Sequence, residues 1–215
     1  AEIRCAEYAT FGTAQLAANA LAALEGRRAA LLANHGVVAI GATLAGAFAS
    51  AFLLYGIALT YGATGSTSLA KIQTYLSGTV ISHSGLLLGG IAFMLVGLGF
   101  KIAAVPFHFW TPDVYQGSPS PITAYMSTAI KAAAFAAIVR VFVVALGPTQ
   151  VNEWRPMVYG LAVLTLLVGS LFAISQTNVK RMLAYSSINH AGFVLSGVLA
   201  NSPEGNSATL FYLVA

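Results

Sequence analysis

Three stretches of this chain, residues 72–100, 156–179 and 182–203, carry no Asp, Glu, Lys or Arg. Each meets the roughly 20 apolar residues that a helix needs to cross about 30 Å of hydrocarbon. Between Ala29 and the end there are seven Lys/Arg and three acidic residues. The whole chain is 58% hydrophobic and 7% charged, where a soluble domain carries about 25% charged residues. Its mean hydropathy is +0.80. These values exclude a water-soluble globular fold. The fold class they imply is all-α, a polytopic transmembrane helix bundle in a lipid bilayer. A net charge of +4 does not point to nucleic acid, because no basic cluster exceeds Arg27-Arg28 and Lys180-Arg181. Those cations fit loops at a membrane surface. One cysteine, Cys5, rules out an internal disulfide.

Residues 1–42 have a different texture and hold six of the charges. Thr13 is a suitable N-cap for an amphipathic helix over "AQLAANALAALEG", and Gly26 a suitable stop. "RRAALLANHGVVAIG" reads as a strand, a His-Gly turn and a second strand. From Thr43 the sequence becomes rich in small residues and helical. The expected organisation is a short, incomplete α/β segment over 1–45, then a transmembrane domain over 46–215. That domain would have about five full helices, near 44–62, 79–105, 121–146, 157–176 and 182–200, and the start of a sixth near 207. Loops are expected at 62–67, 111–121, 147–156 and 201–206. The cations of the 180–181 loop place it in the cytoplasm, with 111–120 on the same side and 63–78 and 147–156 opposite. The chain starts with Ala and ends inside an apolar run, as a piece of a longer protein would.

Within this apolar sequence sit Lys101, about two thirds along its expected helix, and Lys131, ten residues into the next. A charge at such depth costs at least ~2.5–3.5 kcal/mol, so intramembrane lysines face a bundle interior and mark ion or proton paths. Arg140 lies nearer an interface, where its side chain can snorkel. Just beyond Lys101, Pro106 removes an N–H and clashes with the carbonyl four residues back. Pro112 follows, so both prolines read as helix breaks. Broken helices beside buried ions recur in transporters, where freed backbone groups order ions or water. His108 falls in the break as a relay at neutral pH or a packing residue. Asp113 and Tyr115 read as residues that tie the loop down. In "YSSINH", Ser186 and His190 are four apart and Ser187 and His190 three apart, which places them together on a helix face. They suit a water chain or interhelical hydrogen bonds. No carboxylate lies mid-membrane to pair with either lysine.

The run "VGLGFKIAAVPFHFWTPDVYQGSPSPITAYMSTAIKAAAFAAIVRVF" and the later "AISQTNVKRMLAYSSINHAGFVL" closely resemble the subunit N branch of the NADH–quinone oxidoreductase/Mrp antiporter family. The resemblance covers about residues 46–215. It implies a fragment of a fold built on inverted repeats, spanning helices six to ten and the start of eleven. It also implies a proton-translocating subunit of bacterial respiratory complex I, multi-pass in the inner membrane and partnered by other membrane subunits. By this resemblance Lys101 and Lys131 are proton-path lysines, and His108 is the histidine of the "PFH" break. The family's partner glutamate and exit lysine lie outside this segment. The whole complex uses NADH and quinone, while this chain, without Cys clusters or a G-x-G-x-x-G, binds no cofactor itself. An Mrp-type cation/proton antiporter subunit shares the same lysines and is the alternative. Ser170 departs from the pattern, where the family usually has Asn.

Residues 1–45 do not fit that family. "YATFGTAQLAANALAALEGRRAALLANHGVVAIGATLAGA" instead resembles the C-terminal part of class II (fuculose-phosphate-type) aldolases, and His35 matches one of their zinc ligands. The alternative this raises is a fragment of a zinc-dependent aldolase, inactive as it stands. Catalytic zinc needs three protein ligands, and the matching co-ligands are missing here, so His35 fits no metal site and none is assigned. Metal analysis of the detergent-purified chain should find no stoichiometric zinc. One tightly bound zinc, lost on His35→Ala, would contradict this reading.

Overall fold

The computed structural model describes residues 4–6, 15, 18, 19, 22, 29–32, 36–39, 44–79 and 85–214. The chain divides into two compact units, Ala1–Ala51 and Phe52–Ala215. The first holds a three-stranded sheet in the order β1 (Arg4–Ala6), β2 (Ala29–Leu32), β3 (Gly36–Ala39). β1 runs parallel to β2, with Cys5 opposite Leu31, and β3 runs antiparallel to it, with Leu31 opposite Val37. The strand pair read from "RRAALLANHGVVAIG" is therefore present as β2 and β3. β1, at three residues, is too short to leave a pattern in the sequence. Residues 15, 18, 19 and 22 are helical, within the helix expected after Thr13. His35 lies outside the described residues.

The remaining elements are α1 (Leu44–Thr64), α2 (Leu69–Gly78), α3 (Gly85–Ile102), α4 (Thr111–Gly117), a long α5 (Ser120–Ala145), α6 (Gly147–Ile174), α7 (Val179–Ala200) and α8 (Pro203–Val214). By length and composition, α3, α5 and α6 are apolar enough to cross a membrane, and a shorter apolar stretch runs through Ala49–Thr64. α7 is 22 residues long, but its polar run "YSSINH" dilutes it. Among the described residues, then, three helices rather than five have the length and apolarity of full spans.

Several segments expected outside the spans are helical: α4 fills most of 111–121, and α8 starts within 201–206. α2 falls where an outer loop was expected, because Ile72 and Leu76, four apart, form a narrow buried face on an otherwise exposed turn. Residues 147–156 form the start of α6. Pro148 occupies the first turn, where its missing N–H costs no hydrogen bond. Gln150 leaves helical geometry (φ −116°, ψ 18°). Trp154 anchors the segment, fully buried and edge-on to Phe142 at 6.0 Å between ring centroids.

α6 and α7 make the most extensive helix contact of the second unit. Small residues allow it: a Cβ on Gly169 would fall 2.8 Å from the Asn189 backbone, and one on Gly192 would fall 2.8 Å from Leu166. Close approach at glycine is how helices pack where lipid removes the hydrophobic drive between them. The core collects Ile91, Phe135, Ile138, Phe142, Val158 and Leu195 from α3, α5, α6 and α7. Val163, Leu164, Leu167 and Leu171 are exposed along α6, an apolar surface suited to hydrocarbon or to protein neighbours.

Candidate functional site

α3 stops at Ile102, the residue whose carbonyl the ring of Pro106 would strike in a continued helix. Ala103 then turns with φ 61°, and the Val105–Pro106 peptide is cis. In an apolar surround each freed backbone group needs a partner, and these are found locally. Ala103 N–H donates to Phe100 O at 3.2 Å and Ala104 N–H to Gly99 O at 2.8 Å. Trp110 Nε1 donates to Phe100 O at 3.1 Å, its ring stacked on Phe100. Val105 N–H donates to Thr165 Oγ1 of α6 at 2.9 Å. Thr165 is fully buried and pins the break to the neighbouring helix.

The structure corrects two readings of this segment. Pro112 is not a second break; it sits buried in the first turn of α4 and helps to start that helix. Lys101 is exposed rather than buried. The depth argument counted along a helix reaching residue 105, whereas α3 ends at Ile102 and leaves Lys101 in its last turn. His108 is half-buried in the break, its Nδ1 without a hydrogen-bond partner and its ring 6.4 Å from that of Tyr185.

Lys131, unlike Lys101, is buried. It is 6% exposed, and its Nζ donates to both the backbone O and the Oγ of Ser187 on α7, each at 2.7 Å. The turn just before it, Met126–Ile130, is π-helical, a distortion frequent at functional sites because it re-aims side chains out of the regular ladder. Among the described residues the ion pair is Arg181 with Asp113, so no carboxylate neutralises Lys131. Two pockets with mainly apolar walls and a few polar side chains lie at or next to it. One, of about 410 Å³, is lined by Lys131, Ser127, Ser187, His190 and Tyr212 among others. The second, of about 490 Å³, shares Ser127, Ser187 and His190 and adds Ser186, Tyr115 and Lys180. Ser187 and His190 of "YSSINH" thus line the Lys131 pocket, Ser186 lines only the second pocket, and Lys101 lines neither.

The α4 loop is tied down as the sequence suggested. Asp113 pairs with Arg181, which also donates to Gln116 Oε1 at 3.2 Å. Lys180 Nζ donates to Ser118 O at 3.2 Å. These contacts put the 111–118 and 180–181 segments at the same end of the bundle. Tyr115 is buried, its hydroxyl facing the Ser187 side chain of α7. Ser170 Oγ bonds Asn189 Oδ1 at 3.2 Å, so the substituted position keeps a polar contact. Thr165 and Tyr212 escaped the sequence reading; a lone hydroxyl in an apolar run was their only signal.

A helix broken at Pro106, and a buried lysine with no carboxylate partner among the described residues, fit an antiporter-like membrane protein. A profile of the family described as "NADH:quinone oxidoreductase/Mrp antiporter, TM" matches residues 27–215. The chain belongs to that family and is an integral membrane protein. It is 56% identical over 172 residues to NADH-quinone oxidoreductase subunit N of Mycobacterium tuberculosis (strain ATCC 25618 / H37Rv), covering 80% of this chain and 32% of that protein. To subunit N of Rhodococcus opacus (strain B4) it is 50% identical over 189 residues, covering 88% and 34%. A chain of respiratory complex I from Thermus thermophilus with bound aureothin superposes with a TM-score of 0.64 at 42% identity, covering 80% and 36%. A chain of the Mrp complex from Dietzia sp. DQ12-45-1b gives 0.70 at 28% identity, covering 79% and 30%. The chain spans about a third of the length of these relatives. The family match begins within the segment that resembles aldolases.

Thr165→Val should leave the Val105 N–H buried and unpaired, which costs ~1–3 kcal/mol. Thermal unfolding of the full-length subunit in detergent should show the Val variant destabilised and Thr165→Ser close to wild type. Equal stability of Val and wild type would contradict the pinning role.

Proposed function

We propose that this chain is the central part of a proton-translocating subunit of an NADH–quinone oxidoreductase in the bacterial inner membrane. Its partners are the other membrane subunits of that complex. NADH and quinone react elsewhere in the complex, and this chain binds no cofactor. The observation that carries the reading is Lys131, 6% exposed and held, among the described residues, by the two Ser187 oxygens. A structural lysine at such a place would be expected to have a carboxylate, because an uncompensated buried charge is costly. An amine held by neutral oxygens, in a pocket that also holds Ser127, His190 and Tyr212, is one whose proton can be given up and replaced. Ser186, Ser187 and His190 supply hydroxyls and an imidazole for water to bridge. Lys101 and His108 extend the same path toward the break, and residues 1–45 are an aldolase-like remnant outside it.

The similarity to the Mrp complex supports a second reading as a cation/proton antiporter subunit. The two part on energy source: the first moves protons on NADH oxidation, the second exchanges cations for protons without it.

The test needs the full-length subunit in its complex, reconstituted in vesicles. Lys131→Met keeps length and apolar packing, so assembly should survive while NADH-driven proton uptake falls toward background. Lys131→Arg should fail too, because a guanidinium stays protonated in proteins. A purely structural lysine gives the reverse order: Arg restores function, and Met loses the protein from the membrane.

A further inference from the structure

Tyr212, on α8, lies in the wall of the Lys131 pocket. Its hydroxyl oxygen is 2.7 Å from Nδ1 of His190 on α7. The two rings lie 6.0 Å apart, and Phe193 packs against both, at 6.3 Å from His190 and 6.4 Å from Tyr212. Aromatic packing thus holds the imidazole laterally, while a single hydroxyl contacts one of its nitrogens. Where a partner accepts the proton of one ring nitrogen, the other nitrogen is left with the lone pair. A phenol can either donate or accept.

Resting on the proton-carrier reading of Lys131, we propose that Tyr212 is the positioning residue of His190. The Tyr212 oxygen accepts the Nδ1 proton, which leaves Nε2 as the ring's acceptor in the pocket. A proton leaving the Lys131 ammonium through water then binds Nε2. The lysine becomes a neutral amine as the imidazole becomes imidazolium, and the same nitrogen returns the proton to water. Tyr212 is never ionised; it keeps Nε2 free to accept. Without it the neutral ring can place its proton on Nε2, and the acceptor is lost for that fraction of the time.

Tyr212→Phe removes the oxygen and keeps the ring packing. In the full-length subunit assembled in its complex, it should lower NADH-driven proton uptake about fivefold, the scale of one lost hydrogen bond. His190→Gln should lower it at least as far, and the double variant should match His190→Gln, because Tyr212 acts only through His190. Nitrogen-15 NMR of histidine-labelled complex, with the resonance identified by its loss in His190→Gln, should show the protonated Nδ1 shift in Tyr212→Phe. Wild-type pumping in Tyr212→Phe, additive losses in the double variant, or an unmoved Nδ1 resonance would each overturn the proposal. Should Tyr212→Phe assemble poorly, the resonance in the protein that does assemble decides. Lys131→Met in the same vesicles separates the two levels. If it pumps normally, the carrier reading itself falls; if it is inactive while Tyr212→Phe is normal, only the Tyr212 assignment does.

Discussion

The ammonium of Lys131 rests on two oxygens of one residue, Ser187, inside a bundle that offers it no carboxylate among the described residues. Much of the surrounding geometry bears on that contact. α5 loses its regular ladder in the turn before the lysine, and α7 brings Ser187 to it. α7 in turn is set against α6 at Gly169 and Gly192, where no side chain separates the backbones. A bulkier residue at either glycine would push α7 away from α6 and disturb the placement of Ser187. Removing an ammonium from water without a counter-ion is costly, and the two Ser187 oxygens offset part of that cost as hydrogen-bond acceptors.

The broken segment has a complementary construction. An apolar environment punishes unpaired backbone, and the break after Ile102 meets that demand from Phe100, Gly99 and Thr165 without a charged group. The polar atoms left over, His108 Nδ1 and the Thr111 hydroxyl, are buried and unpaired in the same segment. Arg181 and Lys180 fasten its far end to α7 through Asp113 and Ser118. The segment is thus anchored at both ends, to α6 and to α7, with unpaired hydrogen-bonding capacity between the anchors.

What the sequence made legible depended on whether a helix ran uninterrupted. Lys131 follows eleven helical residues of a continuous run from Ser120, so counting along it places the lysine well inside a helix, where the structure buries it. The same count failed for Lys101, because Pro106 ends α3 at Ile102 and puts the lysine in its last turn. Ser187 and His190 were legible as neighbours from their spacing alone. Their partners were not: Tyr212 sits in "ATLFYLVA" and Thr165 in "LAVLTLLVG", where a hydroxyl says nothing about which helix it meets. Gly147, Pro148 and Pro156 read as a loop by composition, and burial of Trp154 overrides that preference. Pro112 was misread because the same residue that breaks a helix interior begins a helix when it falls in the first turn.

The central claim is that Lys131 changes protonation during turnover. Nitrogen-15 spectra of lysine-labelled, fully assembled complex in lipid vesicles report it directly, with the Lys131 signal identified by its loss in Lys131→Met. The account predicts an ammonium signal at rest and a neutral-amine signal that appears when NADH is being oxidised. A Lys131 signal that stays wholly ammonium through steady turnover, while protons are pumped, would contradict it.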